Sequence, residues 1–350
     1  MNKLLYLILT FALLVAVADT ALAGNPDRQG EAGAGQLLLN AFPVSAGLHS
    51  MNTSFTSGVE AMRINIAGLS RINKTEVSLG HAIYLQGTDI GLNALGVAQR
   101  VGDHGAFGIS LSSIDFGDIE VTTEDQPEGT GTTYSPNFFN LALGYSHTFD
   151  NKVSVGVLFR GISESIKDIT SFGFGIDAGV QYVTGPQDNF KFGISLRNIG
   201  SRMKYGGQGL STSGPAPNNG GYNLTYAQRP ADFELPSTLD IGLSYDFLLG
   251  DVHRLTVLGN FTSNSFSRDQ VGGGLEYSLK DMFMLRGGYR YELGNESEVE
   301  APIYTGLSAG ASVSVPLSKE NNKVRFSIDY AYRATKVWDG THNIGIRFNI

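Results

Sequence analysis

The sequence contains no cysteine and carries little charge. Of its 350 residues, 17% are Asp, Glu, Lys or Arg, and the formal net charge is −8. Without cysteine there is no disulfide framework, no thiolate metal site, no cysteine nucleophile and no lipid anchor on a cysteine. An acidic chain without a basic stripe also lacks the charge pattern of a nucleic-acid-binding protein. We therefore expect no nucleic-acid partner.

Long apolar runs are absent after the first 23 residues. Lys3 precedes an apolar stretch over 4–18, and Ala21 and Ala23 place small residues where a signal peptidase cleaves. This arrangement predicts a secretory signal peptide over residues 1–23. No later segment approaches 18 consecutive apolar residues, so no transmembrane helix is expected.

Alternation of apolar and polar residues takes the place of long runs. Segments such as Phe172–Tyr182 and Val324–Tyr332 alternate with period two, which indicates strands with one apolar face. Most segments are longer than a soluble strand of about 5–6 residues. They match the roughly 9–11 residues that a tilted strand needs to cross a bilayer. The predicted strands are 75–85, 88–100, 104–117, 137–149, 152–164, 168–184, 188–199, 234–247, 252–263, 268–279, 281–294, 302–316, 322–333 and 340–350.

These fourteen strands predict an all-β protein, a 14-stranded antiparallel transmembrane β-barrel over residues 73–350. The connections alternate between short turns, such as 150–151, and longer loops, such as 118–136 and 200–233. In outer-membrane barrels the short turns face the periplasm and the long loops face outward. The chain is therefore expected in the outer membrane of a Gram-negative bacterium, surrounded by outer-membrane lipid.

Residues 24–72 lack clean alternation and precede the first strand. A barrel of fourteen strands encloses a lumen too wide for wall side chains alone to fill. The segment includes apolar runs at 37–39 and 64–69 that need burial. We predict that it forms an N-terminal plug, or hatch, inside the barrel; a periplasmic tail is the alternative.

Five short motifs stand out, namely Gly33–Leu39, Ser45–Gly47, Gly58–Met62, Asn65–Leu69 and Leu235–Leu239. The first four resemble the PorV/PorQ family within the FadL-like group of fourteen-stranded outer-membrane barrels, and the fifth resembles the strand entry after a long outer loop in that group. Family members carry an Asn-Pro-Ala-Gly-Leu element in the hatch, and this chain has Ile66 at the proline position. The resemblance assigns a plug motif to Asn65, Ala67, Gly68 and Leu69.

The resemblance implies two functions, and composition leaves a third open. The nearest family members imply an adaptor or shuttle for type IX secreted cargo in a Bacteroidota-like outer membrane, with secreted proteins and translocon subunits as partners. More distant FadL-like members imply a channel for hydrophobic small molecules. A plain diffusion porin is the third hypothesis. A bound protein, an apolar lumen pocket and an open aqueous lumen would distinguish the three.

The long outer loop offers a candidate partner-binding surface. It is rich in Gly, Pro and Asn, and it contains Tyr205, Tyr222, Tyr226 and Phe233. Aromatic side chains are favoured anchors at protein interfaces. A mobile loop with scattered tyrosines is the alternative interpretation.

The third strand offers a candidate lateral gate. Its apolar face steps by three residues from Leu111 to Ile114, where a regular strand steps by two. One extra residue, Ser112 or Ser113, would form a bulge that keeps Ile114 and Phe116 outward. In the alternative, the strand is regular and both apolar side chains point into the lumen.

No pattern of reactive residues predicts catalysis. The six histidines lie at 49, 81, 104, 147, 253 and 342, without metal-ligand spacing, and no nucleophile-elbow motif is present. We therefore expect no enzyme, no cofactor and no metal site.

Overall fold

The computed structural model describes residues 24–150, 152–217, 220–294, 302–317 and 324–350. The predicted signal peptide 1–23 lies outside the described residues. Strands are numbered in chain order: β1 Thr75–Tyr84, β2 Ile90–Val101, β3 Gly105–Asp115, β4 Ile119–Glu120, β5 Thr133–Tyr134, β6 Asn137–Phe149, β7 Val153–Ile166, β8 Ile169–Thr184, β9 Phe190–Gly200, β10 Ser211–Pro215, β11 Asn223–Ala227, β12 Thr238–Leu249, β13 His253–Asn264, β14 Gln270–Leu279, β15 Phe283–Glu292, β16 Tyr304–Pro316, β17 Arg325–Thr335 and β18 Thr341–Asn349.

Fourteen of the strands in these ranges close into one antiparallel barrel. Neighbours in sequence are neighbours in the sheet, and β1 closes the barrel by pairing with β18. The remaining four strands form two hairpins, β4–β5 and β10–β11. The predicted fold class is therefore confirmed, and each predicted barrel strand has an observed counterpart.

The strands place their apolar side chains on the outside of the barrel. In β8, Phe172, Phe174 and Ile176 are 57%, 63% and 46% exposed, whereas the alternate residues Gly173, Gly175 and Asp177 face the lumen. The same alternation runs through the other strands. In a closed barrel, the backbone N–H and C=O groups of every strand are hydrogen-bonded to neighbouring strands, and the apolar exterior can then face lipid. This architecture indicates an outer-membrane protein.

The two ends of the barrel differ in the length of their connections. Short turns join β2–β3, β6–β7 and β14–β15, and at the last of these Lys280 and Asp281 both have left-handed backbone angles, as a tight hairpin turn requires. The opposite end carries both hairpins and the long β9–β12 connection. By the rule for outer-membrane barrels, we call the first end periplasmic and the second end outer.

Residues 24–72 form a chain of short helical turns that begins with the largely exposed residues 24–31 at one end of the barrel and continues inside it. These turns are Pro26–Arg28, Gly35–Leu38, α1 Pro43–Ala46, Gly58–Glu60, α2 Ala61–Ile64 and Ile66–Ser70. Almost every residue from 40 to 70 is buried. We call this segment the plug. None of the described helices has the length and apolar character needed to cross a membrane.

The predicted bulge at Ser112 or Ser113 is wrong. Strand β3 pairs without interruption from Gly105 to Asp115 with both β2 and β6. Ile114 consequently points into the lumen, where it is 9% exposed, and Phe116 follows on the same side. The alternative interpretation is correct, because apolar plug residues shield these side chains from water.

Unlike β3, two strands of the barrel are irregular. In β9, the register against β8 shifts beside Asn198, which has a φ of 60° and donates its backbone N–H to Asp177 Oδ1 at 2.6 Å. In β16, the register against β17 shifts between Tyr304 and Ser308.

Candidate functional site

Asn65 fixes the plug to the barrel wall. Its side-chain amide donates to the carbonyl oxygens of Thr53, Val180 and Ile194 at 3.0, 3.1 and 3.3 Å, and its Oδ1 accepts from Ala67 N at 3.2 Å. Two of these carbonyls belong to β8 and β9. Asn65 is fully buried, so all of its hydrogen bonds lie in a water-excluded environment.

Glycines in the wall make this close approach possible. A Cβ on Gly179 would lie 2.0 Å from Asn65 Oδ1, and a Cβ on Gly193 would lie 2.4 Å from the carbonyl oxygen of Thr53. Both distances are far below a van der Waals contact. Strand glycines therefore leave room for the plug backbone against the wall.

The other residues of the predicted plug motif lie in the same contact region. The Ala67 carbonyl accepts from Ser146 Oγ of β6 at 2.8 Å. Gly68 packs against the Thr56 carbonyl, and a Cβ at position 68 would lie only 2.0 Å from the carbonyl oxygen. Leu69 is fully buried. The structure therefore brings together all four motif residues, Asn65, Ala67, Gly68 and Leu69.

The charged residues of the lumen pair mainly with each other along the wall. Most of these ion pairs join neighbouring strands and include no plug residue: Arg160–Asp177, Lys191–Asp246, Arg197–Asp240, Arg286–Glu276 and Arg347–Asp329. Within the described ranges, the plug meets the wall through hydrogen bonds and apolar contacts. One example is Gln181, whose side-chain amide donates to the carbonyls of Thr53 and Thr56 at 3.1 and 3.0 Å.

The start of the plug reaches the outer end of the barrel and joins the long loop. We call residues 24–39 together with 200–217 and 220–236 the outer cover. Gly33 N donates to the Glu234 carbonyl at 3.0 Å, and the Glu234 carboxylate pairs with Arg202 at 2.7 Å and with Arg28 at 3.3 Å. Hydrogen bonds from Arg202 and Arg28 lower the pKa of Glu234 below its ordinary value. This exposed cluster connects two segments about two hundred residues apart in sequence.

The four aromatic residues predicted to bind a partner divide into two pairs. Tyr205 donates to the buried Glu164 carboxylate at 2.5 Å, and its ring lies 5.4 Å from that of Phe233. Burial and the Glu164 carboxylate raise the pKa of the Tyr205 hydroxyl. Tyr222 and Tyr226 instead lie on the β10–β11 hairpin, 61% and 39% exposed. The structure does not bring the four residues into one surface.

Phe233 belongs to an apolar cluster beneath the outer cover. It packs against residues of the plug, β7 and the loop, namely Ala34, Leu37, Ile162, Met203 and Leu235. Gln36 of the plug donates to Glu164 at 3.3 Å beside this cluster. Plug, wall and loop thus share one contact region at the outer end.

One sector of the lumen is apolar. At the outer rim, Phe116 and Phe138 meet edge to face with ring centroids 5.0 Å apart, and Tyr84 and Ile90 flank them. Deeper in the barrel, the wall and the plug continue this surface with Leu92, Ala94, Ile114, Leu39 and Phe42. The sector spans β1, β2, β3 and β6.

The predicted gate residues lie in the wall of this sector. Ser112, Ser113 and Ala94 line an inner cavity of about 20 Å³ against the plug, roughly the space of one water molecule. On the membrane side, Ser113 and Ala94 also line a groove of about 380 Å³. A thin wall of small residues therefore separates the inner cavity from the groove.

The periplasmic half of the lumen is polar. A cavity of about 440 Å³ lies below the plug, and its lining includes Glu60, Arg71, Lys191, Glu276 and Arg286. The described residues contain no group of three or more histidines, aspartates or glutamates able to hold a metal ion.

The comparisons with known proteins identify the fold. No protein-family model matches the chain, and no curated protein sequence matches it. The solved structures that the chain resembles include two toluene transporters and a FadL homologue. The toluene transporter TodX of Pseudomonas putida has 14% sequence identity and a TM-score of 0.55 over 89% of this chain and 98% of that chain. The toluene transporter TbuX of Ralstonia pickettii has 13% identity and a TM-score of 0.54 over 88% and 97%. A FadL homologue of Pseudomonas aeruginosa has 14% identity and a TM-score of 0.52 over 88% and 96%.

These similarities show a FadL-like barrel fold. The proteins compared are named as transporters or as a FadL homologue, and none is named as an enzyme. No finding distinguishes the PorV/PorQ branch within this fold.

Sequence reasoning missed the outer cover and anticipated only part of the apolar sector, in the alternative that points Ile114 and Phe116 into the lumen. No local sequence pattern indicates the contact between Glu234 and Arg28, because the two residues are distant in sequence. Ile114 and Phe116 did carry a signal, the change of phase in β3, and it marked apolar residues facing the plug instead of a bulge.

Proposed function

We propose that the protein is an outer-membrane channel for hydrophobic small molecules. The observation that carries this proposal is the apolar sector between the plug and strands β1, β2, β3 and β6. Among the described plug residues, none forms a hydrogen bond to β3. The hydrogen bonds to the other three strands lie toward their periplasmic ends, at Glu76 of β1, Arg100 of β2 and Ser146 of β6, away from the outer part of the sector. A hydrophobic ligand can therefore pass between the apolar surfaces of the plug and β3 without breaking a hydrogen bond between them.

The residues of the sector suggest a path with two stages. Phe116, Phe138, Tyr84 and Ile90 form the receiving surface at the outer rim. The ligand then moves between the plug and the wall toward the inner cavity beside Ser112. From there, the thin wall at Ala94 and Ser113 leads to the groove on the membrane side.

The chemistry of the path limits the ligand class. Its rim residues are aromatic and aliphatic, so an apolar ligand gains burial while an ion would lose hydration without a partner. The similarity to proteins named as toluene transporters supports a small hydrocarbon as the first probe. A porin that passes polar solutes is disfavoured, because the plug fills the lumen.

Transport of radiolabelled toluene into cells that produce the protein tests the proposal. Phe116→Asn and Phe138→Asn should reduce uptake, since each places an amide on the receiving surface. Tyr222→Asn is the matched control, because Tyr222 is exposed on the hairpin away from the sector. Equal uptake by all three variants and the unchanged protein would contradict the channel.

The adaptor for type IX secreted cargo is the second candidate. One observation favours it: the β10–β11 hairpin presents Tyr222 and Tyr226 to solvent at the outer end. In this hypothesis the hairpin holds secreted proteins, and translocon subunits bind the same barrel. Replacing residues 211–227 by a short glycine-serine linker should abolish co-purification of secreted proteins from native membranes while toluene uptake is retained.

A further inference from the structure

The barrel wall is interrupted at the outer end of β15 and β16. The β15–β16 pairing stops at Tyr289↔Leu307, so Arg290 to Glu292 have no ladder partner in β16. Gly306 has a φ of 96°, and a Cβ there would lie 2.2 Å from the Arg290 carbonyl oxygen. Only glycine fits this backbone.

A cavity of about 140 Å³ occupies the interruption. It extends from the plug residue His49 through the wall to Tyr289 and Tyr291, which are 48% and 49% exposed on the outside of the barrel. Arg290, Glu292 and Lys336 also line it. The site is separate from the apolar sector, which lies on β1, β2, β3 and β6.

The charges around the cavity are not balanced. Arg290 and Lys336 line the cavity, and Arg333 lies against Tyr304 in its lining. In the part of the chain that the structure describes, the carboxylates that face Arg290 are Glu292 and Asp240, and Asp240 already pairs with Arg197. Neither Arg290 nor Arg333 forms an ion pair there, whereas arginines such as Arg160 do. Residues 295–301, which connect β15 and β16, lie outside the described residues and are not counted.

Arg333 and His49 hold unused hydrogen-bonding groups. Arg333 is 5% exposed, and its Nε and Nη2 have no hydrogen-bond partner among the described residues. These two nitrogens form one side of the guanidinium fork, which fits two oxygens of an oxyanion. His49 is 2% exposed, and neither ring nitrogen has a partner in normal geometry, although the Leu307 backbone lies close.

The four side chains form one compact cluster. The Arg333 guanidinium lies 4.7 Å from the centre of the Tyr304 ring, and the His49 ring meets Tyr304 edge-on at 5.6 Å. Arg290 Nη1 lies 3.5 Å from the His49 carbonyl oxygen. Buried donors without partners are costly, so a group that satisfies them binds favourably.

We propose that this cavity is a binding site for a phosphate group. Among the described residues, the positive charges of Arg290, Arg333 and Lys336 complement a phosphate, which carries about −1.5 to −2 charges when it is singly esterified. The cavity of about 140 Å³ is several times the space that one water molecule needs, which suits one such group. Tyr289 and Tyr291 face outward beside it, as aromatic residues do at headgroup level. The phosphate therefore belongs either to an outer-leaflet lipid or to a soluble molecule.

Binding to the purified full-length protein tests the site. Inorganic phosphate is titrated by calorimetry in phosphate-free buffer, and bisphosphorylated lipid A is compared with dephosphorylated lipid A by native mass spectrometry. We expect Arg333→Gln and Arg290→Gln to weaken binding by about tenfold or more, because a charge-assisted contact is lost. Arg333→Lys should recover part of the affinity, since it keeps the charge without the fork. Arg325→Gln, at the periplasmic end of the same strand, is the matched control and should bind normally.

The outcomes separate the two sources. Binding of lipid A that depends on its phosphates and on Arg333 assigns the site to a lipid headgroup. Binding of inorganic phosphate with the same dependence assigns it to a soluble molecule. If neither probe binds the unchanged protein, or if both bind Arg333→Gln as tightly, the inference is wrong. Unheated gel mobility confirms that each variant is a folded barrel.

Discussion

Replacement of Asn65 by leucine should loosen the plug. Leucine has nearly the shape of asparagine but none of its hydrogen-bonding atoms. The change removes three donated hydrogen bonds and one accepted from Ala67 N. The perturbation is therefore confined to the polar contacts that fix the plug to β8 and β9.

The magnitude follows from these contacts. The amide has two N–H hydrogens, so its three donor contacts share them and count as about two hydrogen bonds. With the bond from Ala67 N, about three buried hydrogen bonds of about 1 kcal/mol each are lost. The Thr53 carbonyl retains its second donor, Gln181 Nε2 at 3.1 Å, which reduces the loss. We expect a decrease of about 2 kcal/mol in the free energy that holds the plug in the lumen.

Single-channel recording in planar bilayers is the direct assay. The unchanged protein should show little steady conductance, because the plug fills the lumen. Asn65→Leu should show frequent openings of barrel size, together with faster proteolysis of residues 24–72 from the periplasmic side. A variant with the conductance and protease resistance of the unchanged protein would refute the assigned role of Asn65.

A second variant reaches the same contact from the wall. Gly179→Ala places a Cβ 2.0 Å from Asn65 Oδ1, so Asn65 must move and its hydrogen bonds must lengthen. Gly259→Ala is the control, because its Cβ would meet nothing closer than 3.9 Å in the neighbouring strand. If Asn65 is the contact that matters, the two changes combined should cost less than the sum of their separate effects.

Three further predictions concern the plug, the outer cover and the interrupted wall. Deletion of residues 24–72 should give large stable pores in bilayer recordings, provided that heat-modifiable mobility shows an assembled barrel. The protection of residues 24–39 against hydrogen exchange, relative to the intrinsic rate at each pH, should decrease as the pH falls below about 4, because the lowered pKa of Glu234 makes its carboxylate stabilising only above that range. Glu234→Gln should show low protection at every pH. Gly306→Ala should lower the stability of the folded barrel by about 2 kcal/mol, measured by the temperature of heat modification, because the left-handed backbone is strained with a side chain.

Local patterns made the strands predictable. Strand β8 was expected over 168–184 and is found over Ile169–Thr184. The prediction is close because consecutive residues alternate between apolar types that face lipid and small or polar types that face the lumen. The plug was predicted by the opposite observation, a segment of suitable size without alternation. Both inferences need only neighbouring residues in the sequence.

The site itself depends on contacts between distant segments. The bulge at Ser112 and Ser113 was one of two interpretations of the change of phase in β3. The choice between them depends on the distant apolar plug residues that Ile114 faces, which the local pattern does not show. Arg290, Arg333 and His49 meet only after the barrel closes around the plug, so no spacing in the sequence predicts this cluster. The outer cover could not be predicted for the same reason, since Arg28 and Glu234 are in contact but lie about two hundred residues apart in the sequence.

The distribution of contacts around the plug gives the channel proposal its physical basis. Directional hydrogen bonds fix the plug to β8 and β9 through Asn65 and Gln181, and to β6 through Ser146. Toward β3 the described plug residues have apolar packing alone. Packing contacts are individually weak and can be exchanged for contacts with a ligand of similar volume, whereas a buried hydrogen bond cannot. A hydrophobic molecule can therefore pass along the outer part of β3 while the plug stays attached to β8 and β9, so transport and an electrically closed lumen are compatible in one protein.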